Sequence, residues 1–383
     1  MTSLLRNTRF QRRVMESAFL IALLGLILYA VVAAKETVDS LGMTSGFGFL
    51  ERTTGFDIGF SLIEFDGMDS YGRLLLAGIV NTLFLGAIGI VGANLVGLVV
   101  AVFKTSRNGV LNLLGTVYVE TFRNVPLILQ VVFWYATFTH LPSPRSTEAV
   151  LGGIYLTSRG LFLPGMNTAP WGVLACIALL AVMLVGFVLI ARSRKLHAPA
   201  KSRLRRLSAA ITLVVALAIL FVFARVPGTP LVAIPELRGL NIRGGISLTP
   251  ELAAMIIAIA SYGGAYIAEI LRAGFNSVGV GQIEAGRALG LSDWDLFNRI
   301  RMPLAIRAVL PTLINQYVWL MKATTLGVAV GFADFFSVVS VSINQSGQTL
   351  ELIGLLMLGF LVINNTMSIV LNWINRAIRL KGV

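Results

Sequence analysis

The sequence predicts an all-α polytopic membrane protein of about eight transmembrane helices, and three observations predict it. Of 383 residues, 56% are hydrophobic and only 13% are charged, which is too apolar for a soluble domain of this size. The apolar residues gather into runs close to the ~20 residues that a helix needs to cross the hydrocarbon core. The basic residues lie beside those runs, as Lys and Arg do in the cytoplasmic loops of membrane proteins. The formal charge of +13 is therefore read as topology rather than as a nucleic-acid surface.

Candidate spans run roughly over 17–34, 74–103, 120–141, 171–191, 208–224, 251–273, 307–332 and 350–374. The first follows a basic lead and ends at Ala33-Ala34 before Lys35. That pattern fits either a signal peptide or an uncleaved anchor, and the anchor is favoured. The second span is long enough to tilt or bend. Pro126 and Pro311 mark local helix starts or kinks in the third and seventh.

Orientation follows from charge. Arg6, Arg9, Arg12 and Arg13 precede the first span, loop 192–207 carries Arg192, Arg194, Lys195, Lys201, Arg203, Arg205 and Arg206, and Arg376, Arg379 and Lys381 follow the last. Segment 35–72 instead holds Glu36, Asp39, Glu51, Asp57, Glu64, Asp66 and Asp69. Eight alternating spans put every basic region, loop 274–306 and both termini in the cytoplasm and the acidic segment outside. The lone Cys176 lies in an apolar run, and His140 and His197 stand far apart without ligand-like neighbours. No disulfide framework, metal site or cofactor is expected.

Loop 284–303, EAGRALGLSDWDLFNRIRMP, is charged and glycine-punctuated between apolar runs. Gly290 is placed to end one short helix in a left-handed conformation. Ser292 is placed to cap a second, with Asp295 three residues on completing a capping-box pattern. Asp293 and Asp295 suit the positive end of that helix. Trp294 and Phe297 share a face, with Leu289 and Leu291 nearby to fill a groove on another protein. Pro303 is expected to interrupt the backbone before the next span.

The loop closely resembles the EAA loop of ABC-importer permeases, a Glu-Ala-Ala run followed by a Gly and a distal Ile-x-Leu-Pro. Glu284, Ala285 and Gly286 stand at the run, Gly290 follows after three residues, and Ile300 after nine more, ahead of Met302-Pro303. Gly286 and Met302 are the two departures. The resemblance implies that Glu284, Ala285, Gly286, Leu289, Gly290, Trp294, Phe297, Ile300 and Pro303 couple the chain to a cytoplasmic ATPase subunit. The alternative is an ordinary amphipathic surface loop. No Gly-x-x-x-x-Gly-Lys-Ser/Thr pattern occurs in the chain, so ATP hydrolysis is expected on a separate subunit and the chain is not expected to be an enzyme.

The stretches 261–274, 118–126 and 320–326 are similar to segments of polar amino-acid permeases, and together the likenesses cover most of 74–141 and 251–375. The long layout resembles the Q-type permease subunit of general L-amino-acid importers, with glutamate/glutamine-type importers as near relatives. What this implies is a type I ABC-importer core over 74–375, interrupted at about 142–250 by an insertion with two extra spans. Residues 1–73 form the tail, first span and external segment, 278–305 the cytoplasmic coupling loop, and 376–383 the final tail. The implied setting is a bacterial inner membrane. The implied partners are ATP-binding subunits, a second permease with a heterodimer favoured, and an external amino-acid-binding protein.

Ionised residues inside a span cost about 2.5–3.5 kcal/mol on insertion scales and face protein or water. Glu120 with Arg123, and Glu269 with Arg272, stand three apart and are read first as structural pairs and second as substrate contacts. Lys322, with Thr324 and Thr325, lies in a long apolar span and faces either a central cavity or another helix. The candidate translocation path is thus Glu120, Arg123, Glu269, Asn315, Lys322 and Thr324. Asn81, Asn94, Gln316, Asn364 and Asn365 either line a cavity or bridge helices, and glycines over 86–97 and 263–264 allow close helix approach. A stand-alone ion-coupled transporter is the rival reading, but it leaves the EAA pattern unexplained. A membrane enzyme lacks any catalytic cluster.

Overall fold

The computed structural model describes residues 8–40, 46–150, 153–169 and 198–378, with scattered helical positions between 172 and 190. The fourth expected span, the start of the basic loop at 192–197 and the tail at 379–383 lie largely outside the described residues. The chain is mostly helical. Helix α1 (Thr8–Ser40) precedes α2 (Tyr71–Thr105), α3 (Gly109–Asn124) and α4 (Leu127–Thr139). After the insertion, which contains α5 (Ala198–Ala218), come α6 (Pro250–Ser277), α7 (Val280–Ala288) and the turn α8 (Asp293–Asp295). Then follow α9 (Met302–Ala323), α10 (Phe335–Ser346) and α11 (Thr349–Ile378). Five helical segments among the described residues are long and apolar enough to cross a membrane. They are Tyr71–Thr105, Arg206–Phe223, Pro250–Ser277, Asp293–Val330 and Thr349–Arg376.

The helix starts are written locally. Ser70 accepts the Arg73 N–H at the head of α2, and Asn108 accepts from Val110 and Leu111 at the head of α3. Thr249 caps α6, with Pro250 in the first turn, where its missing N–H costs nothing.

The third expected span, 120–141, is not one helix. It divides at Val125-Pro126, because proline drives the residue before it into extended backbone (Val125 φ −88°, ψ 123°). Gln130 is buried at the break and donates to the Phe122 and Val125 carbonyls at 3.0 Å each. The 13 residues of α4 reach only ~20 Å at 1.5 Å each, short of the ~30 Å hydrocarbon core.

The segment expected as an insertion, 142–250, holds strands as well as helix. Strands β1 (Tyr155–Thr157), β2 (Gly160–Leu163) and β3 (Gly165–Met166) precede α5. After it come β4 (Val232–Ala233), β5 (Glu236–Arg238), β6 (Asn241–Arg243) and β7 (Ile246–Leu248). All pair antiparallel, as β1-β2-β7, β3-β4 and β5-β6. These short strands are an addition to the all-helical expectation.

The core is built on α2 against α6, flanked by α9 and α4, with Leu85, Ala93, Ile259, Ile267 and Leu320 fully buried. Glycines set the approach, as expected for 86–97 and 263–264. A Cβ on Gly264 would fall 2.7 Å from Val96 Cγ1, and one on Gly97 2.7 Å from Ile267 Cγ2. In lipid, such close backbone contact is where helix association comes from, since burying apolar surface gains little there.

A second cluster joins α2 to the chain after α9. The seventh span ends in a 3-10 stretch, Thr324–Val330, and turns at Gly331 into the short helix α10. Asn81 is fully buried and donates to the Phe60 and Ala333 carbonyls at 2.9 and 2.8 Å. Thr82 accepts from the Phe335 N–H at 2.9 Å. Asn81 thus ties α2 to the loops at Phe60 and Ala333 rather than lining a cavity. Asp334 caps α10 by accepting the Phe336 and Ser337 N–H groups, and burial pushes its carboxyl up to about 7.

Candidate functional site: the loop 280–303 and the polar face of α6 and α9

Helix α7 ends in a Schellman motif. Gly290 sits at φ 74°, its N–H bonds the Arg287 carbonyl at 2.9 Å, and the Leu291 N–H reaches back to Gly286 at 3.2 Å. Gly286 is buried against Leu296 and Ile300, and a Cβ there would meet both side-chain ends. The departure from the family's third Ala therefore has a local cause: these two side chains occupy the space.

Ser292 caps α8 by accepting the Asp295 N–H at 3.2 Å. The return arm of a capping box is different. The Asp295 carboxylate accepts the Ser292 hydroxyl at 2.9 Å and pairs with Arg299 at 2.8 Å. A π-helical stretch, Leu296–Arg301, then runs directly into α9. Pro303 consequently does not interrupt the backbone. It lies in the first turn of α9 within a continuous helical run, where the wider turn preceding it accommodates the lost donor.

The loop's apolar residues divide into two sets. Leu296 is buried and Phe297 packs on Phe275 of α6 at 5.6 Å between centroids, so these hold the loop to the core. Leu289 is 81% exposed and Trp294 69% exposed, the latter stacked on Phe297 at 6.2 Å. Glu284 and Ala285 are exposed too. Phe297 shares a face with Trp294, as the spacing predicts, but it is the inward anchor beneath it.

The residues of the candidate path fall into three groups. Glu120 and Arg123 do not pair. Glu120 accepts from Asn124 at 3.3 Å, while the Arg123 guanidinium lies 4.9 Å above the Tyr266 ring, where a cation gains from the π face. The Tyr262 and Tyr266 rings meet at a tilt with centroids 4.9 Å apart and hydroxyls 3.2 Å apart, and Tyr262 stacks on Trp319 at 5.3 Å. On α9, Asn315, Trp319 and Lys322 follow at helical spacing and are all exposed on this chain. These make one polar and aromatic face running from Arg123 across α6 to α9.

Glu269 belongs elsewhere. It pairs with Arg272 at 2.8 Å, as the spacing predicts, and also with Lys104 at the end of α2. Both Glu269 and Lys104 are largely buried, so this is a structural clamp between α2 and α6. Thr324 is fully buried and donates to the Met321 carbonyl at 2.9 Å, which removes it from the exposed face. Asn94 is likewise bridging: it accepts from the Tyr317 hydroxyl at 2.7 Å.

Sequence reasoning missed Tyr262, Tyr266, Trp319 and Lys104. The i, i+4 spacing of the two tyrosines was a usable signal. Nothing local marked Lys104, whose partner lies 165 residues away.

Three relatives align along nearly the whole chain. YhdX of Escherichia coli (strain K12), described as an amino-acid ABC transporter permease protein, is 36% identical over 371 residues, covering 94% of this chain and 91% of its own. The general L-amino acid transport system permease protein AapQ of Rhizobium johnstonii is 35% identical over 359 residues, covering 93% and 89%. The glutamate/glutamine/aspartate/asparagine transport system permease protein BztB of Rhodobacter capsulatus is 30% identical over 417 residues, covering 100% and 96%. Residues 205–380 match the family described as the inner membrane component of binding-protein-dependent transport systems.

Proposed function

This chain belongs to the permease subunits of binding-protein-dependent ABC importers for amino acids, and from that membership we propose that loop 280–303 is its coupling element to an ATPase. The observation that carries the reading is the exposed pair Leu289 and Trp294, flanking the Gly290 turn. Such side chains on a charged loop suit a protein groove, where aromatic anchors contribute disproportionately. Inward anchoring through Gly286, Leu296, Phe297 and Ile300 supports the same role, because a lever must be fixed to what it moves.

In this reading two ATPase subunits close on ATP and draw the loop with them. The spans then rock between inward-open and outward-open arrangements, and hydrolysis resets them. ATP chemistry resides wholly on the partners. A second, similarly long permease completes the path as a heterodimer, and an external binding protein delivers L-amino acids to the outward face. Both termini and the loop are cytoplasmic.

The cargo path is assigned to the face holding Arg123, Tyr262, Tyr266, Asn315, Trp319 and Lys322. Its polar and cationic groups suit the carboxylate of an amino acid, and its rings suit the apolar parts. Glu120, one turn before Arg123, accepts from Asn124 and is left outside this face. Glu269 holds α2 to α6, and Thr324 is bonded within its own segment, so neither is placed on the path. We give no role in transport to an ion gradient, since the exposed coupling loop has no use in a secondary transporter.

The test is to purify the tagged chain from native membranes in mild detergent and identify co-purifying proteins by mass spectrometry. A Walker-containing ATPase and a second permease are expected. Loss of the ATPase on Leu289→Ala/Trp294→Ala, with permease pairing kept, supports the loop assignment. Full ATPase retention by that variant overturns it.

A further inference from the structure

A cavity of about 550 Å³ opens between the turn after α2 and the loop 280–301. Most of its lining belongs to loop 280–303, but its arginines are used neither by the exposed pair Leu289 and Trp294 nor by the cargo path. Its charge is one-sided. Arg107, Arg287 and Arg301 line it with a single carboxylate, Asp293. Arg287 and Asp293 stand 3.8 Å apart with both side chains more than half exposed, a separation and setting in which an ion pair contributes little. Arg107 has no ion pair among the described residues. Arg301 has none either. Its Nε donates to the Phe275 carbonyl at 3.5 Å and its guanidinium lies 5.5 Å over the Phe275 ring, which leaves the terminal nitrogens for another acceptor.

The remaining wall is apolar, with Ile283 and Leu296 beside Phe297. Three guanidinium-bearing residues in a lining that is otherwise largely apolar suit an anion with phosphate geometry attached to an apolar group. The location fits as well. The cavity lies where α2 ends at Thr105 and where the run into α9 begins, at the ends of two segments long and apolar enough to cross a membrane. Basic pockets between helix ends on the cytoplasmic side are known sites for anionic headgroups.

We propose that this cavity binds a phosphate-ester anion supplied by an anionic phospholipid of the leaflet that the loop faces. The headgroup bridges Arg107, on the α2–α3 turn, to Arg287 and Arg301, on the coupling loop. It thereby fastens the loop to α2 through a ligand rather than through side chains alone. This goes beyond the docking assignment and does not depend on it, because the cavity is formed by this chain alone.

The experiment uses the purified importer complex, titrated with phosphatidylglycerol or phosphatidylcholine of matched chains and read by native mass spectrometry. At about 1 kcal/mol per basic residue, losing Arg107 and Arg301 corresponds to a roughly 30-fold change in affinity. The expected result is a phosphatidylglycerol preference in the parent protein that Arg107→Gln/Arg301→Gln abolishes and Arg203→Gln, outside the cavity, retains. The same spectra report the ATPase subunits, so a lost lipid site is distinguished from a lost docking site. Where the double variant fails to assemble, Arg107→Gln alone, on an exposed turn, is read for a partial loss of the preference. Equal affinity for the two lipids, or a preference unchanged by the substitutions, overturns the proposal. Inorganic phosphate that competes with phosphatidylglycerol supports the phosphate chemistry. Inorganic phosphate bound in a cavity that shows no lipid preference moves the anion's source to water and overturns the lipid assignment.

Discussion

Replacing Gly290 with alanine isolates one physical quantity. The residue holds φ 74°, and a Cβ added there would meet nothing within 4 Å. Packing therefore contributes nothing, and the cost is the left-handed backbone itself, roughly 1–2 kcal/mol for an L-residue. In the proposed coupling role, docking uses the Schellman turn that presents Leu289 and Trp294, so whatever strain the undocked variant loop relieves by relaxing appears in the docking equilibrium, as a factor of up to about 5–30. Asparagine visits the left-handed region more readily and should cost less. Aspartate adds a negative charge at the C-terminal end of α7, where the helix dipole opposes it by ~0.3–1 kcal/mol. The expected order of ATPase retention and ATP-driven uptake is Gly, then Asn, with Ala and Asp both below, since Asp shares the tolerance of the left-handed region but carries the dipole penalty. Both are measured in reconstituted vesicles at matched permease content. Alanine equal to glycine, or better than asparagine, would refute the argument from backbone geometry.

Gly286→Ala should cost less than about 1.5 kcal/mol, because the obstructing atoms are the flexible ends of Leu296 and Ile300, whereas Gly286→Val should overpack the loop by about 1–3 kcal/mol; melting temperatures in detergent rank the two. Glu269→Gln leaves Lys104 and Arg272 without a counter-charge, and should destabilise by about 3–5 kcal/mol. Lys104→Met should cost less, since Arg272 still pairs with Glu269, and equal melting temperatures would contradict the clamp. The Asp334 carboxyl is raised from an ordinary 3.8 to about 7 by burial. Its contribution is therefore fully present at low pH and lost as pH rises through about 7. Asp334→Asn keeps an acceptor for the cap and should flatten that part of the stability–pH curve; an unchanged curve would show that another group titrates there.

What was legible in the sequence was what the chain encodes within a turn or two. The Gly290 turn, the Ser292 cap and the Glu269–Arg272 pair all follow from residues close in sequence. The break at Pro126 was half legible, since proline signals a boundary but not whether a span survives it. Pro303 misled, because the π-helical stretch that absorbs it has no sequence signature. Arg123 misled for a tertiary reason: the Tyr266 ring on another helix outcompeted the carboxylate one turn away. The strands between 153 and 250 were illegible because they are two to four residues long, and β2–β7 and β3–β4 pair only across α5.

The pairing of β2 with β7 has an architectural consequence. Leu163 and Ile246 are register partners, so the chain leaves the core and returns to it about one strand spacing, or ~5 Å, apart. Everything between them is an excursion closed at its own neck, with β3-β4 and β5-β6 paired inside it. A gap of that width is the one that a two-residue hairpin turn bridges. Helix α5 is thus carried on an excursion that opens and closes at a single pair of neighbouring strands, so its length can change without moving the ends where the chain leaves and returns.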